Sequence, residues 1–400
     1  MGNLNIDKIK NNILDTIENN KEVYINISHK IHDNPEIGNE EYFACETLSN
    51  LLRENGFEVE TNIAGHKTGF VAKKKSENKE GPVIGFLAEY DALPGLGHAC
   101  GHNIIGSASC AAAIALSSQL NYIGGEIRVY GCPSEEGGEN GSAKGSFVKS
   151  NLFEGVDACL MIHPSNETSI TGTSLAVNPV DFEFIGKSAH AAGCPEKGIN
   201  ALDGVIQLFN GINALRQHLT DDVRIHGIIT HGGDAPNIVP EYAKARFYIR
   251  AKTRKILNEV TKKVENIAKG AALATGATVN MKFFQNKVDN FLVNKNFNDL
   301  FVEVMEELGE PINKDIREGS GSTDAGNVSH VVPTLHPYIK IGPNSLVGHT
   351  IEFCKAACSQ EGDKSLIIGA KSLSLTALNI FVDDKKLKEI KREFKSNKSL

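Results

Sequence analysis

The 400-residue chain holds no run of about 18 apolar residues, so no membrane-spanning helix is expected. Its first ten residues, Met1 to Lys10, are polar and lack the apolar core of a secretory signal. A cytoplasmic protein with no membrane partner is therefore expected. The eight cysteines include no Cys-x-x-Cys pair, and only Cys354 and Cys358 lie close together, a poor framework for disulfides or a zinc finger. In a reducing compartment most of them should be small buried hydrophobes. An excess of positive charge is missing too. The formal net charge is -7 and no basic patch dominates, which argues against a nucleic-acid partner. The Lys-rich stretch from Lys385 to Lys398 is the exception, and it reads as the solvated face of a last helix with a frayed end. No internal repeat or low-complexity tract is present. What remains is ordinary globular usage, 40% hydrophobic and 23% charged, able to build a large core and long enough for two or three domains.

Hydrophobic periodicity organises the chain. Residues 7 to 56 read as helical, with Ile13, Ile17, Tyr24, Ile27 and Ile31 at roughly helical spacing and a break at Asn34-Pro35. A second amphipathic segment runs from about Glu40 to Asn55, closed by Gly56 as a C-cap. Strand-like runs follow at Gly69–Lys73, Val83–Ala88 and Ile127–Cys132, with a small-residue helix at about Ile104–Gln119 between the last two. Strands alternating with helices predict an α/β layered domain, a mixed or parallel sheet flanked by helices. Residues 179–286 follow a different order: strand Val180–Ile185, helix Gly198–His218, strands Arg224–Thr230 and Ala243–Arg250, helix Arg254–Thr275, strand Thr278–Phe284. This β-α-β-β-α-β order is the ferredoxin-like unit, a complete two-layer domain, and it is placed as an insertion. The expected domains are residues 1–176, the inserted 177–287, and 288–400. After the insertion come a helix near Asn296–Leu308, the Gly-rich segment Glu318–Gly326, strand Tyr338–Ile341 and a final helix pair.

Four loop segments carry residues suited to chemistry. Leu93-Pro94-Gly95-Leu96-Gly97-His98-Ala99-Cys100-Gly101-His102-Asn103 joins a strand to a helix, and its glycines permit a tight turn. Cys100 and His102 lie near the helix start, where the dipole favours an anionic thiolate. A thiolate and an imidazole two residues apart suit a transition metal such as zinc. Read alone, the stretch is as readily a Gly-rich turn whose His and Cys merely pack. Glu135-Glu136-Gly137-Gly138 lies just beyond strand Ile127–Cys132, where open α/β sheets place their ligands. Adjacent residues of an extended chain point opposite ways, so one carboxylate can bind a metal while its neighbour faces substrate; alone, the pair is a solvated acidic loop. His163-Pro164 follows the apolar run Ala158–Ile162 and can be a ligand or a satisfied strand-end histidine. Gly348-His349-Thr350 opens the last helical region and means little by itself. Together these are one Cys, three His and two Glu placed after strands or before helices, enough for two metals and a base. Two other readings stay open: a thiol enzyme with Cys100 as nucleophile and His98 or His102 as base, and a structural zinc protein.

These motifs resemble those of the M20 metallopeptidases, specifically the amidohydrolase-type branch with a Gly-His-x-Cys-Gly-His core. Here the core is Gly97-His98-Ala99-Cys100-Gly101-His102. Matching segments run from Ser28-His29-Lys30-Ile31-His32-Asp33-Asn34-Pro35-Glu36 to Gly348-His349, nearly the whole chain with the inserted domain included. Asn103, the Glu135-Glu136-Gly137-Gly138 loop and Gly321-Ser322-Thr323-Asp324-Ala325-Gly326-Asn327-Val328-Ser329 look closer to the group of aminobenzoyl-glutamate hydrolases and M20 domain-containing protein 2. Many relatives carry Asp where this chain has Asn103, which removes a carboxylate role at that position.

The resemblance implies a metal-dependent hydrolase that cleaves the amide bond of a dipeptide or an N-acyl amino acid, aminobenzoyl-glutamate among them. Carried over position by position, it implies Cys100, His102, Glu136, His163 and His349 as ligands of two divalent ions per subunit, zinc or manganese with cobalt as a third option. It implies Glu135 as general base. Asp91, in Glu89-Tyr90-Asp91, would orient a ligand histidine, or else accept backbone hydrogen bonds as a strand-end acid. The inserted domain would be a lid and dimerisation domain. His190, in Gly186-Lys187-Ser188-Ala189-His190-Ala191-Ala192, matches a lid histidine that helps hold the tetrahedral intermediate and in the family often reaches the partner subunit's site. Asn237, in Ala235-Pro236-Asn237-Ile238-Val239-Pro240, matches a lid residue contacting the substrate carboxylate, with Arg250 a further candidate. Ser322, Thr323 and Asp324 would shape the pocket or form a Gly-rich structural turn. A homodimer is expected through an exposed edge of the lid strands. A binding or regulatory protein that keeps this fold without catalysis is the remaining alternative, and the complete ligand set with Glu135 argues against it.

Overall fold

Val83–Glu89 is apolar at almost every position, the pattern of a strand covered on both faces. In the computed structural model, which describes residues 5–319 and 321–398, it lies inside a six-stranded mixed sheet. Across that sheet run Glu58–Ile63, His66–Lys75, Glu126–Cys132, Val83–Glu89, Ala158–Leu160 and Thr334–Leu335. The last four are parallel to one another, whereas His66–Lys75 is antiparallel to both of its neighbours. A parallel pair needs a crossover, and helix His102–Ser117 provides it between Val83–Glu89 and Glu126–Cys132. Every residue of this helix is buried. Its Gly, Ala and Ser content lets it lie close to the sheet: a Cβ on Gly106 would stand 2.8 Å from the Glu89 carbonyl oxygen.

Alternation along Val83–Glu89 divides the core. Ile84, Phe86 and Ala88 join the cluster built by helices Ile6–Asn19, His102–Ser117 and Gln360–Val382, while Leu87 joins Phe147, Tyr130 and Val328. Helix Tyr42–Glu54 starts where Glu36 accepts hydrogen bonds from the Phe43 and Ala44 N–H groups at 2.9 and 3.0 Å, an anion at the positive end of the helix dipole. Against expectation, one helix, Gln360–Val382, is long and apolar enough to cross a membrane by length and composition. Leu366, Leu373, Leu375 and Leu378 on it are fully buried and it packs along His102–Ser117. Its apolarity is that of a core helix enclosed on several sides.

Two other expectations change. The helical stretch before Pro35 is two helices, Ile6–Asn19 and Lys21–Asp33, because the Asn20 side chain turns back to donate to the Thr16 carbonyl at 2.8 Å. The final helix pair is three helices, Ile351–Ala356, Gln360–Val382 and Asp384–Lys398, the last docked through Leu387 and Ile390 with its lysines on the outside. The end beyond Lys398, the start of the polar N-terminal stretch (Met1–Leu4) and Ser320 of the Gly-rich segment lie outside the described residues.

The described residues fall into two units, 5–173 with 291–319 and 324–398, and 174–290 with 321–323. The second holds strand Ala176–Ile185, helix Ala201–Leu215, strands Arg224–His231 and Tyr242–Ala251, helix Arg254–Thr275 and strand Thr278–Phe283. Its antiparallel sheet is ordered Thr278–Phe283, Ala176–Ile185, Tyr242–Ala251, Arg224–His231, the ferredoxin-like arrangement. Tyr242–Ala251 alternates strictly between buried and half-buried positions, and Ala243, Ala245, Phe247 and Ile249 pack under the two helices. Asn200 and Thr253 cap those helices by accepting from Leu202 and Ile256 N–H groups. Arg224–His231 is an edge strand, with Ile228 and Ile229 exposed on it.

Candidate metal centre and catalytic site

The carboxyl ends of the parallel strands converge on one place in the first unit, where α/β sheets bind their ligands. Val83–Glu89 ends on Glu89, with Asp91 two residues beyond. Glu126–Cys132 leads into Glu135 and Glu136, and Ala158–Leu160 leads to His163. Glu135 and Glu136 sit in a turn rather than on extended chain, entered through Ser134 at φ +57°. The turn, not strand alternation, sends the two carboxylates to different neighbours. Gly101 takes φ +77° at the start of helix His102–Ser117, and a Cβ there would meet Pro164 at 2.8 Å. Only glycine suits both demands, and it brings Cys100 and His102 up against His163. His349 also has a left-handed φ, +62°; its N–H donates to the Ala99 carbonyl at 2.9 Å, and Thr350 next to it caps the following helix.

These elements gather donor atoms in three overlapping groups: Cys100, His102 and His163; Cys100, Glu136 and His349; Glu89, His102 and Glu135, with the atoms of each within 4.8 Å of one another. Hydrogen bonds settle which imidazole nitrogen faces inward. His102 Nδ1 donates to Asp91 Oδ1 at 2.9 Å, and His163 Nδ1 donates to the Pro164 carbonyl at 2.7 Å. In the neutral imidazoles each Nε2 turns a lone pair to the centre; for His102 burial opposes a proton there, but Asp91 and Cys100 favour it and prevail when no ion is bound. Asp91 Oδ2 accepts the Glu136 backbone N–H at 2.9 Å, so one carboxylate orients His102 and fixes the turn carrying Glu136. His102 Nε2 and Glu136 Oε1 are buried without a hydrogen-bond partner. They lie 3.8 Å apart, and His349 Nε2 stands 3.5 Å from the same Glu136 oxygen. Buried imidazole nitrogens and a carboxylate oxygen gathered this closely fit a cation, and a thiolate, imidazoles and carboxylates are the donors a zinc-like or manganese-like ion takes.

The electrostatics agree. Burial, then Glu136, pushes the Cys100 thiol well up, so a positive charge must be present for the thiolate to form. Burial, then the neighbouring Glu89, Glu136 and Asp324, pushes Glu135 well above the usual carboxylate range. Burial lowers His163 and keeps its imidazole neutral. The Glu136 carboxylate that it faces at 3.5 Å raises His349. A cleft of about 370 Å³ opens beside this group, lined by Cys100, His163, Tyr338, Val347, His349 and Phe353 among others.

The other expected site residues belong to the second unit. His190 and Asn237 lie on paired segments: Ala191 N–H donates to the Asn237 carbonyl and Val239 N–H to the Ala189 carbonyl, each at 3.0 Å. His190 Nδ1 accepts from the Ala192 and Gly193 N–H groups at 3.2 and 3.0 Å, so Nε2 carries the hydrogen on an exposed ring. Arg250 lies over the Tyr248 ring, with Nη1 3.0 Å from Ser322 Oγ and Nε 3.3 Å from His226 Nε2. Asp324 is a fully buried partner of Lys144 in the first unit, apart from Ser322 and Thr323, which group with the second.

Sequence reasoning missed four buried residues at this centre: Glu89, Lys144, Asp324 as an ion-pair member, and His336. Lys144 Nζ pairs with Glu89 Oε1 at 2.7 Å and with Asp324, and the His336 ring stacks on His163 with centroids 5.5 Å apart. The one local signal was Glu89 itself, a charged residue closing an otherwise apolar strand.

A mixed sheet whose carboxyl-end loops gather candidate metal ligands is joined in sequence to a ferredoxin-like unit, and known hydrolases share this combination. Residues 179–275 match the family model described as the peptidase dimerisation domain. Over 387 residues the chain is 36% identical to the Xaa-Arg dipeptidase of Homo sapiens, an alignment covering 92% of this chain and 88% of that protein. It is 30% identical to a component of the p-aminobenzoyl-glutamate hydrolase of Escherichia coli (strain K12), covering 95% of this chain and 93% of that one. A solved Bacillus subtilis structure, a dinuclear metal-binding peptidase from the M20 family, matches with a TM-score of 0.60 over 90% of this chain and 99% of its own, a likeness of fold at 19% identity. The chain belongs to the M20 peptidase family. It is accordingly a hydrolase of C–N amide bonds.

Proposed function

We propose that the protein hydrolyses the amide bond of a dipeptide or an N-acyl amino acid, with two divalent ions, zinc or manganese, held by Cys100, His102, Glu136, His163 and His349. The observation that carries this reading is the pair of buried, unpartnered atoms His102 Nε2 and Glu136 Oε1, facing one another beside Glu135. Bound there, the ions would supply a Lewis acid for the carbonyl and make water a nucleophile near neutral pH. Glu135 takes the proton of the attacking water; with the ions bound, the burial and negative neighbours that raise it would be offset and it would be left ionised for this task. It then returns that proton to the leaving amine nitrogen. His190 Nε2–H donates to the oxygen that becomes negative in the tetrahedral state. Asn237 and Arg250 hold the substrate carboxylate. The human relative is named for dipeptides ending in arginine and the Escherichia coli relative for aminobenzoyl-glutamate, and these are the substrates to try first. The dimerisation-domain match and the exposed Ile228 and Ile229 on an edge strand support a homodimer formed along Arg224–His231.

The test is metal removal and return. Chelated protein should lose amide cleavage and regain it with zinc, manganese or cobalt, binding about two ions per chain as a two-metal site requires. The panel is a β-alanyl-basic dipeptide, an Xaa-Arg dipeptide, aminobenzoyl-glutamate and an N-acetyl amino acid. Full activity after exhaustive chelation would eliminate the metal reading, and inactivation by thiol alkylation alone would then point to Cys100 as nucleophile.

A further inference from the structure

Glu89 is fully buried, and its two oxygens face different things. Oε1 is 2.7 Å from the Lys144 ammonium, which also pairs with Asp324. The Lys144 backbone N–H donates to Asp324 Oδ2 at 3.0 Å, so the lysine is gripped twice by the same carboxylate. Glu89 Oε2 points the other way, 3.5 Å from His102 Nε2, and neither atom has a hydrogen-bond partner. The hydrogen of His102 sits on Nδ1, in the bond to Asp91. Between this carboxylate oxygen and imidazole nitrogen, both fully buried, a cation must lie, a proton on Nε2 or a metal ion. Glu135 brings a third donor atom to within 4.8 Å of the same two, a set that a metal ion takes and a single proton does not. Two donors on adjacent corners of a tetrahedral ion with bonds of 2.0–2.2 Å stand about 3.4 Å apart. The observed 3.5 Å is that spacing. Charge balance argues the same way. Four carboxyl groups, Glu89, Asp324, Glu135 and Glu136, crowd around the single ammonium of Lys144, and they can all be ionised together only if further positive charge is bound among them.

We infer that Glu89 is a further protein ligand of the metal centre, binding the ion that His102 also holds, and that Lys144 and Asp324 are positioning residues that fix its other oxygen. This rests on the two-metal reading above and adds to it a ligand carried by the strand rather than by a loop. Held between an ammonium and a metal ion, the Glu89 carboxylate would tie the ion to the most enclosed strand of the sheet. Lys144 would keep it from turning away when the ion leaves.

Ion binding and ion position test this directly. Equilibrium dialysis against cobalt should give two ions per wild-type chain. Glu89→Gln should keep one tight ion and bind the other at least ~100-fold more weakly, and Lys144→Gln should weaken that same ion by about 10–100-fold while leaving the first unchanged, as expected for an outer partner of a ligand. The visible cobalt spectrum should change in both variants, a signal that a merely structural defect with both ions in place would leave alone. Should the variants fail to fold, anomalous scattering from wild-type crystals grown with cobalt gives the answer without substitution. One peak should lie about 2.0–2.5 Å from a Glu89 oxygen. Two peaks both remote from Glu89, or Glu89→Gln binding two ions with wild-type affinity, overturn the inference and leave the two-metal reading standing. No ion bound by wild-type protein at all removes that reading and this one together.

Discussion

At the scale of single residues, the site is governed by which buried oxygens have hydrogens to accept. Asp91 uses one oxygen for His102 Nδ1–H and the other for the Glu136 N–H. Glu135 is surrounded by Glu89, Glu136 and Asp324, so its charged form is the disfavoured one. Because Glu135 is the proposed base, Glu135→Gln should lower kcat by about 10²–10⁴, the usual contribution of a general base, while thermal melting shows no loss of stability, since the neutral amide adds no charge to this crowded place. A melting temperature that falls along with the rate would mean that Glu135 serves the fold. Glu41 offers a pH test away from the ligands. Its buried carboxylate accepts from Ser134 N–H, Asn39 N–H and the Thr68 hydroxyl at 2.8, 3.0 and 2.7 Å. Burial, then Asp91, pushes it from 4.5 up to about 7. A carboxyl raised on folding keeps its proton in the native state while the unfolded chain releases it, so stability drains away as pH rises from 4.5 to about 7 and is level above that. Denaturant titrations of wild type and Glu41→Gln across this window should diverge in favour of the variant, by on the order of 3 kcal/mol at the top. Parallel curves would mean that Glu41 titrates normally.

At the scale of elements, the legible parts of the sequence were those whose chemistry is local. Cys100, His102, Glu135, Glu136 and His163 each lie in a short motif beside a strand or helix end, so together they were marked as candidates, while the resemblance to the M20 family supplied the role of each. Glu89 stands in no motif. It closes an apolar strand, and its partner Lys144 and Lys144's partner Asp324 are distant in the chain, so only folding reveals the triad. Helices with an apolar stripe, such as Arg254–Thr275, were readable to the residue. Glu58–Ile63 was not, because an exposed edge strand of polar residues has little period-two contrast; its hairpin is signalled only by Ala64 and Gly65, both at positive φ. Gly101 links the two levels. Gly101→Ala forces a left-handed Ala and a Cβ contact of 2.8 Å with Pro164, the neighbour of His163. The expected cost is about 2 kcal/mol or more, read as a lower denaturation midpoint, together with weaker metal binding because Cys100 and His163 are pushed apart. Wild-type stability in this variant would show that the loop relaxes freely.

At the scale of the whole molecule, the question is how a ferredoxin-like unit serves chemistry whose ligands all belong to the other unit. If His190 serves the partner's site, as the family resemblance implies, two inactive proteins can repair each other. Glu135→Gln and His190→Ala dimers, unfolded and refolded together in equal amounts, should regain about a quarter of wild-type activity, since half of the random dimers carry one intact site of two. Mixing that restores nothing, in a sample shown by light scattering to contain dimers, would place His190 in its own subunit's site.

Helix His102–Ser117, buried along its whole length, also imposes a timetable. It leaves the ribosome some 240 residues before helix Gln360–Val382, which packs along it, has been made. At about 5–20 residues per second that is roughly 12–50 s during which the face that Gln360–Val382 covers stays open, although the helices and strands made earlier already pack on the rest. His349, a member of the same ligand-rich chamber, is among the last residues to arrive. Chains halted before Gln360 should therefore present apolar surface that the finished chain hides, so a dye or a holding factor that binds apolar surface should take the halted chain and leave the finished one.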